Sequence, residues 1–105
     1  SPYEWRSIGP HRFARDADTL RWSPDGEITV EQGAEIIAHV VDLARAHGYV
    51  LVLIDGRNSP PLSYEVRRLY VDNVHRHKVR LAVAVYGGQP ASRIVATLAS
   101  ERRAC

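Results

Sequence analysis

Tyr49-Val50-Leu51-Val52-Leu53-Ile54 is an unbroken apolar run rich in β-branched residues. A strand with one wet face alternates between apolar and polar positions. A run that does not alternate reads as a strand buried on both faces, the habit of a central parallel strand covered by helices. Leu81-Ala82-Val83-Ala84-Val85-Tyr86 has the same character. The pattern therefore predicts these two segments side by side in the middle of one sheet, with helices shielding them.

Between the two strands, Ser63 can cap a helix running to about residue 77, with Val66, Leu69, Tyr70 and Val74 on one stripe. Upstream of the first strand, Thr29 and Gln32 have the spacing of a capping box. Val30, Ala34, Ile37, Val40, Val41 and Ala44 then follow helical spacing, opposite Gln32, Glu35, His39 and Asp42, and Gly48 falls where a left-handed cap is wanted. Residues 11–15 and 19–23 are short candidate strands joined by Asp16-Ala17-Asp18, and Ser23-Pro24-Asp25-Gly26 is a turn. The first ten residues, with Tyr3, Trp5 and Ile8 near alternation, form an N-terminal arm or an edge strand that ends at Pro10. Pro90 suits the first position of a last helix carrying Ile94, Val95 and Leu98 inward. The expected order is strand, strand, helix, strand, helix, strand, helix: an α/β layer of about four or five mixed strands with three helices.

The 105 residues make one domain, since two halves would each lack a core. Hydrophobic residues at 45% and charged residues at 25% describe a globule and not a disordered chain. Fourteen basic against 12 acidic residues leave a net charge of +2, too little to imply a nucleic-acid or membrane surface. Cys105 stands alone, which excludes an intramolecular disulfide framework and a cysteine-rich zinc site. No apolar run approaches the roughly 20 residues of a transmembrane segment, and no basic stretch followed by a long apolar one opens the sequence. Together these features predict a cytoplasmic protein. Arginine supplies all the basic residues except Lys78, which points to a GC-rich bacterial genome.

Ligands of open α/β sheets gather beyond the carboxyl ends of parallel strands. Two loops leave that edge, residues 55–63 and 87–93. Gly87-Gly88 with Arg93 in the next turn is either a plain tight turn or an anion site at a helix start. Asp55, Arg57 and Arg93 are either an ion pair bracing the strand end or a polar patch that reads a ligand or partner. Ser63 caps the second helix, and as a phosphoacceptor it would place charge at that helix's N-terminus. His75-Arg76-His77-Lys78-Val79-Arg80 reads as a solvated helix end whose charge suits the dipole. No aromatic residue interleaves with it, so it offers no base-stacking platform. His75 and His77 are two apart and face different ways, which gives no metal pair. His39 and His47 belong to the first helix and its end, and His11 is alone. Trp5, Phe13 and Trp22 read as packing residues. No nucleophile, base and orienter fall together, so no catalytic residues, cofactor or metal are expected.

Asp25-Gly26-Glu27-Ile28-Thr29 with the helix after it, then Val50 to Asp55, then Leu62-Ser63-Tyr64-Glu65-Val66-Arg67-Arg68, and finally Val83-Ala84-Val85-Tyr86-Gly87 with Arg93, resemble the STAS-like domains. These are the sulphate-transporter and anti-sigma-factor-antagonist modules, and the likeness is to their divergent bacterial STAS/Sec14-like, SpoIIAA-like branch. It covers about residues 11 to 100 and implies a small, non-enzymatic module that binds partner proteins in signalling or regulation. A kinase-like anti-sigma factor is the partner type the resemblance suggests, and Ser63 falls nearest the serine that such a kinase phosphorylates. Where the family carries Asp-Ser-Ser/Thr-Gly, this chain reads Asp55-Gly56-Arg57-Asn58-Ser59-Pro60-Pro61. The open sheet edge would also allow a homodimer. The alternative is a small-molecule or anion-binding domain using Asp55, Arg57, Gly87, Gly88 and Arg93.

Overall fold

The computed structural model describes residues 2–88. Within them run β1 (Arg6–Ile8), β2 (His11–Asp16), β3 (Thr19–Ser23), α1 (Val30–His47), β4 (Val50–Asp55), α2 (Tyr64–Arg76) and β5 (Leu81–Tyr86). The α/β class expected from the sequence is present. The first ten residues supply a short edge strand, β1, preceded by an arm. The expected third helix, with Ile94, Val95 and Leu98, lies outside the described residues.

Local chemistry accounts for both helices. Thr29 accepts the Gln32 backbone N–H while the Gln32 side chain reaches back to the Thr29 N–H, closing the capping box. Gly48 ends α1 in the left-handed conformation. Ser63 caps α2 through its hydroxyl oxygen, 3.2 Å from the Val66 N–H. At the far end of α2, the Lys78 N–H reaches the His75 carbonyl and the Val79 N–H reaches the Val74 carbonyl. Lys78 adopts φ 52, and Val74 and Val79 are both buried. That is a Schellman motif with its apolar contact, built on lysine where glycine is usual. The basic run that read as a solvated helix end is therefore also a tight helix stop.

The sheet order is β1-β2-β3-β4-β5, the order of the chain itself. β1, β2 and β3 pair antiparallel; β3, β4 and β5 pair parallel, with Leu20 opposite Val52 and Val52 opposite Val83. Two right-handed crossovers in the same direction place both helices on one face. The core agrees: Phe13, Leu20, Trp22, Val50, Val52 and Leu81 cluster with Ile36, Ile37, Val40 and Val74. The helices meet at Gly33, where an added Cβ would stand 3.2 Å from Val66 Cγ1.

The expectation that β4 and β5 are both interior and buried on both faces is corrected in two ways. β5 is the outer strand of the sheet among the described residues. On the face away from the helices, Leu51 and Ala84 are exposed and Leu53 is half-buried. The apolar run is unbroken although only one of its faces is covered by α1 and α2. The same outer face is sheathed further along: the Arg12 guanidinium lies over Trp5 at 5.0 Å and Arg21 over Tyr3 at 4.2 Å. These contacts lay the arm across β2 and β3.

Candidate functional site

The carboxyl ends of β3, β4 and β5 converge, and the sequence-expected residues meet there. Asp55 ends β4 and is buried. Its carboxylate accepts the Arg57 N–H at 3.1 Å, Nε–H at 2.9 Å and Nη2–H at 2.6 Å. The Arg57 guanidinium holds the Asp55 carboxyl below the usual carboxylate range, outweighing the opposite push of burial. Gly87 packs on this pair: it sits at φ 78, and an added Cβ would come within 2.8 Å of Arg57 Cγ. Gly56 donates its N–H to the Tyr86 carbonyl at 2.7 Å and lies beside Gly88, since a Cβ there would stand 3.4 Å from the Gly88 Cα. Asp55, Arg57, Gly87 and Gly88 thus share one knot. Arg93 lies outside the described residues.

The knot borders a polar hollow of about 200 Å³ lined by Pro10, Arg12, Ser23, Pro24, Asp25, Asp55, Arg57 and Asn58. The Gly26 N–H donates to the Asn58 carbonyl at 2.8 Å, tying the loop after β3 to the loop after β4. Two arginines and two aspartates face the hollow, and one pair of them is already joined. Its electrostatics are balanced and not strongly anion-seeking.

A fully buried side chain supports this rim. His11, 0% exposed, accepts the Asp25 N–H at Nδ1 at 2.9 Å. That bond leaves the ring proton on Nε2, which donates to Gln32 Oε1 at 3.0 Å. Gln32 Oε1 is also the acceptor that closes the α1 capping box. One imidazole therefore locks β2, the rim loop and the start of α1. The sequence showed His11 as isolated because its partners lie 14 and 21 residues away. His39, assigned from the sequence to the polar face of α1, is half-buried there, with its ring tilted against Phe13 at 4.4 Å and its Nδ1 3.3 Å from the Arg15 guanidinium.

Two larger surfaces flank the knot. On the outer face, the register places Leu51 beside Ala82, Leu53 beside Ala84 and Asp55 beside Tyr86. Tyr49, Leu51 and Tyr86 are 42%, 37% and 52% exposed, so an apolar strip runs up to the polar hollow. The Tyr49 hydroxyl donates to Asp18 at the strip's lower end. On the inner face, a cavity of about 520 Å³ opens between α1, α2 and the sheet. Trp22, Ile37, Val66, Tyr70, Val71 and Val83 are among the residues that line it.

Ser63 is exposed at the N-cap of α2. Among the described residues no cluster of histidine, cysteine, aspartate and glutamate could hold a metal ion, and no helix is long and apolar enough to cross a membrane. No family model, curated protein or solved structure matches the chain.

Proposed function

We propose that this chain is a non-catalytic, STAS-like protein-interaction module of bacterial signalling or regulation, and that it meets its partner through the outer face of β4 and β5. One observation carries this reading: the strip of Leu51, Leu53, Ala84 and Tyr86 on the face that α1 and α2 leave uncovered. Contiguous exposed apolar surface rimmed by polar groups is characteristic of docking sites. Here the rim is the Asp55–Arg57 knot and the hollow beside it. The partner is a regulatory protein, a kinase-like anti-sigma factor being the type the family resemblance suggests, or a second copy of this chain.

The test compares wild type, Leu51→Arg on the strip, and Val71→Arg on α2 at the opposite face. A protein retained stoichiometrically by wild type and Val71→Arg but lost by Leu51→Arg supports the reading. A retained set that Leu51→Arg leaves unchanged, or nothing retained by wild type, removes it. Sedimentation over a concentration range separates a second copy from a foreign partner.

A second reading is favoured by the convergence of Arg12, Asp25, Asp55, Arg57, Ser23 and Asn58 on the polar hollow: capture of a small polar molecule. A thermal-shift screen with inorganic phosphate and nucleotides tests it. Stabilisation by one of them that disappears in Arg12→Ala supports this reading, and stabilisation that survives the substitution removes it.

A further inference from the structure

Burying a polar side chain costs free energy unless it is paired, and among the described residues only His11 and Asp55 are both polar and buried. Both brace one feature, the polar hollow of about 200 Å³. His11 holds the Asp25 backbone, and Asp55 holds the backbone and guanidinium of Arg57. The Gly26 N–H ties the two loops together through the Asn58 carbonyl. A fold gains little stability from a buried ion pair that apolar packing would not supply. What these two groups add is a rigid rim, the requirement of a binding site.

The charges on that rim are of two kinds. Arg57 is joined to Asp55. Arg12 and Asp25, both exposed, form no ion pair among the described residues. Each is nevertheless held in place. The Arg12 guanidinium lies over the Trp5 ring at 5.0 Å, and Asp25 is fixed through its backbone by His11. Ser23, opposite Arg12 in the sheet register, and Asn58 add neutral hydrogen-bonding groups to the lining.

We propose that the hollow binds a free α-amino acid, its carboxylate taken by Arg12 and its ammonium by Asp25. This rests on the small-molecule reading of the hollow and deepens it by naming the ligand class. One cation and one anion on the same small hollow are complemented by a molecule that carries one of each. A simple anion would leave the Asp25 carboxylate facing like charge, and a simple cation would do the same to Arg12. The planar fork of arginine suits a carboxylate. Size agrees, since the hollow equals about six or seven waters at ~30 Å³ each. A peptide terminus brings only one of the two charges, which sets it apart from the free amino acid.

The experiment titrates the isotope-enriched full chain with each of the common α-amino acids and follows its amide resonances. At least one should shift Arg12, Asp25, Gly26 and Asn58 saturably, with a Kd at or below about 1 mM, and leave Val71 on α2 unmoved. The amide of that amino acid lacks the carboxylate, and its N-acetyl derivative lacks the ammonium. Each should bind at least about tenfold more weakly than the parent. Arg12→Gln should weaken the amino acid by a similar factor and leave the amide as it was. Asp25→Asn should weaken the amino acid and leave the N-acetyl derivative as it was. Derivatives that bind as well as the parent, or a folded variant that binds the amino acid like wild type, overturn the proposal while the small-molecule reading stands. Shifts of these amides by inorganic phosphate or glucose, with none from any amino acid, do the same. If no probe moves them, both readings fall. The derivative arm needs no substitution, so it decides even where a variant fails to fold.

Discussion

Replacing His11 by alanine tests how the rim of the candidate site is held. The substitution removes two hydrogen bonds, one from the Asp25 N–H and one to Gln32 Oε1. Gln32 keeps the Thr29 N–H as a donor, so its loss is one ordinary bond, about 0.5–1.5 kcal/mol. The Asp25 N–H loses its acceptor in a part-buried setting, which costs about 1–3 kcal/mol. The void left by a ring packed 5.5 Å from Trp22 adds at least about 1 kcal/mol. His11→Ala should therefore destabilise the protein by about 3–5 kcal/mol, a third or more of what a domain this size commonly has. His11→Asn is the informative partner. Its Oδ1 can take the place of Nδ1 and accept the Asp25 N–H, so only the Gln32 bond and a smaller void remain, about 1–2 kcal/mol. Urea unfolding followed by far-ultraviolet circular dichroism reads both, provided the m-values agree. Amide exchange at Asp25 should quicken in the alanine variant and stay slow in the asparagine variant. Equal destabilisation by the two substitutions would refute the account, because the Asp25 bond would then contribute nothing.

Three further outcomes follow from other elements. Lys78→Gly should raise stability by up to about 1 kcal/mol, since relief of a left-handed residue, worth about 1–2 kcal/mol, exceeds glycine's added backbone entropy of about 0.5–1 kcal/mol; a lower urea midpoint would contradict the Schellman geometry. Gly33→Val should cost about 1–3 kcal/mol by forcing α1 from Val66, and an unchanged midpoint would show that the helices do not meet there. The Asp55 carboxyl titrates below its unfolded value, so its contribution is complete above about pH 4 and disappears as pH falls through the lowered value. Stability measured from pH 7 downward should therefore decline less steeply below pH 4 in Asp55→Asn than in wild type, and identical slopes would show that the Arg57 pair does not stabilise the fold.

Signals confined to a few neighbouring residues were legible in the sequence. The Thr29–Gln32 box, Gly48 and the Ser63 cap each depend on backbone groups within four positions, and each stands where the pattern placed it. The parallel pairing of β4 with β5 was legible too, because Val-Leu-Ile runs flanking a helical stripe leave few other arrangements. What covers a strand's second face was not legible. Leu51 and Leu53 look alike whether a helix, an arm or a partner lies over them. β1 was open between arm and strand because Arg6-Ser7-Ile8 carries no period of its own and is defined only by its partners in β2. The Asp55–Arg57 pairing could be read from adjacency. The convergence of Arg12 and Asp25 on the same hollow could not, since nothing local connects β2 and the loop after β3 to the end of β4.

Because the strands lie in the sheet in the order in which they are made, every new strand finds its neighbour already emerged from the ribosome. None of the described strands has to be inserted between two others. The antiparallel β1-β2-β3 meander closes through short turns and can form early, offering a template on which β4 and then β5 are laid with their helices. Among the described strands β5 is thus the last to be laid down, on an edge of β4 that is already in place.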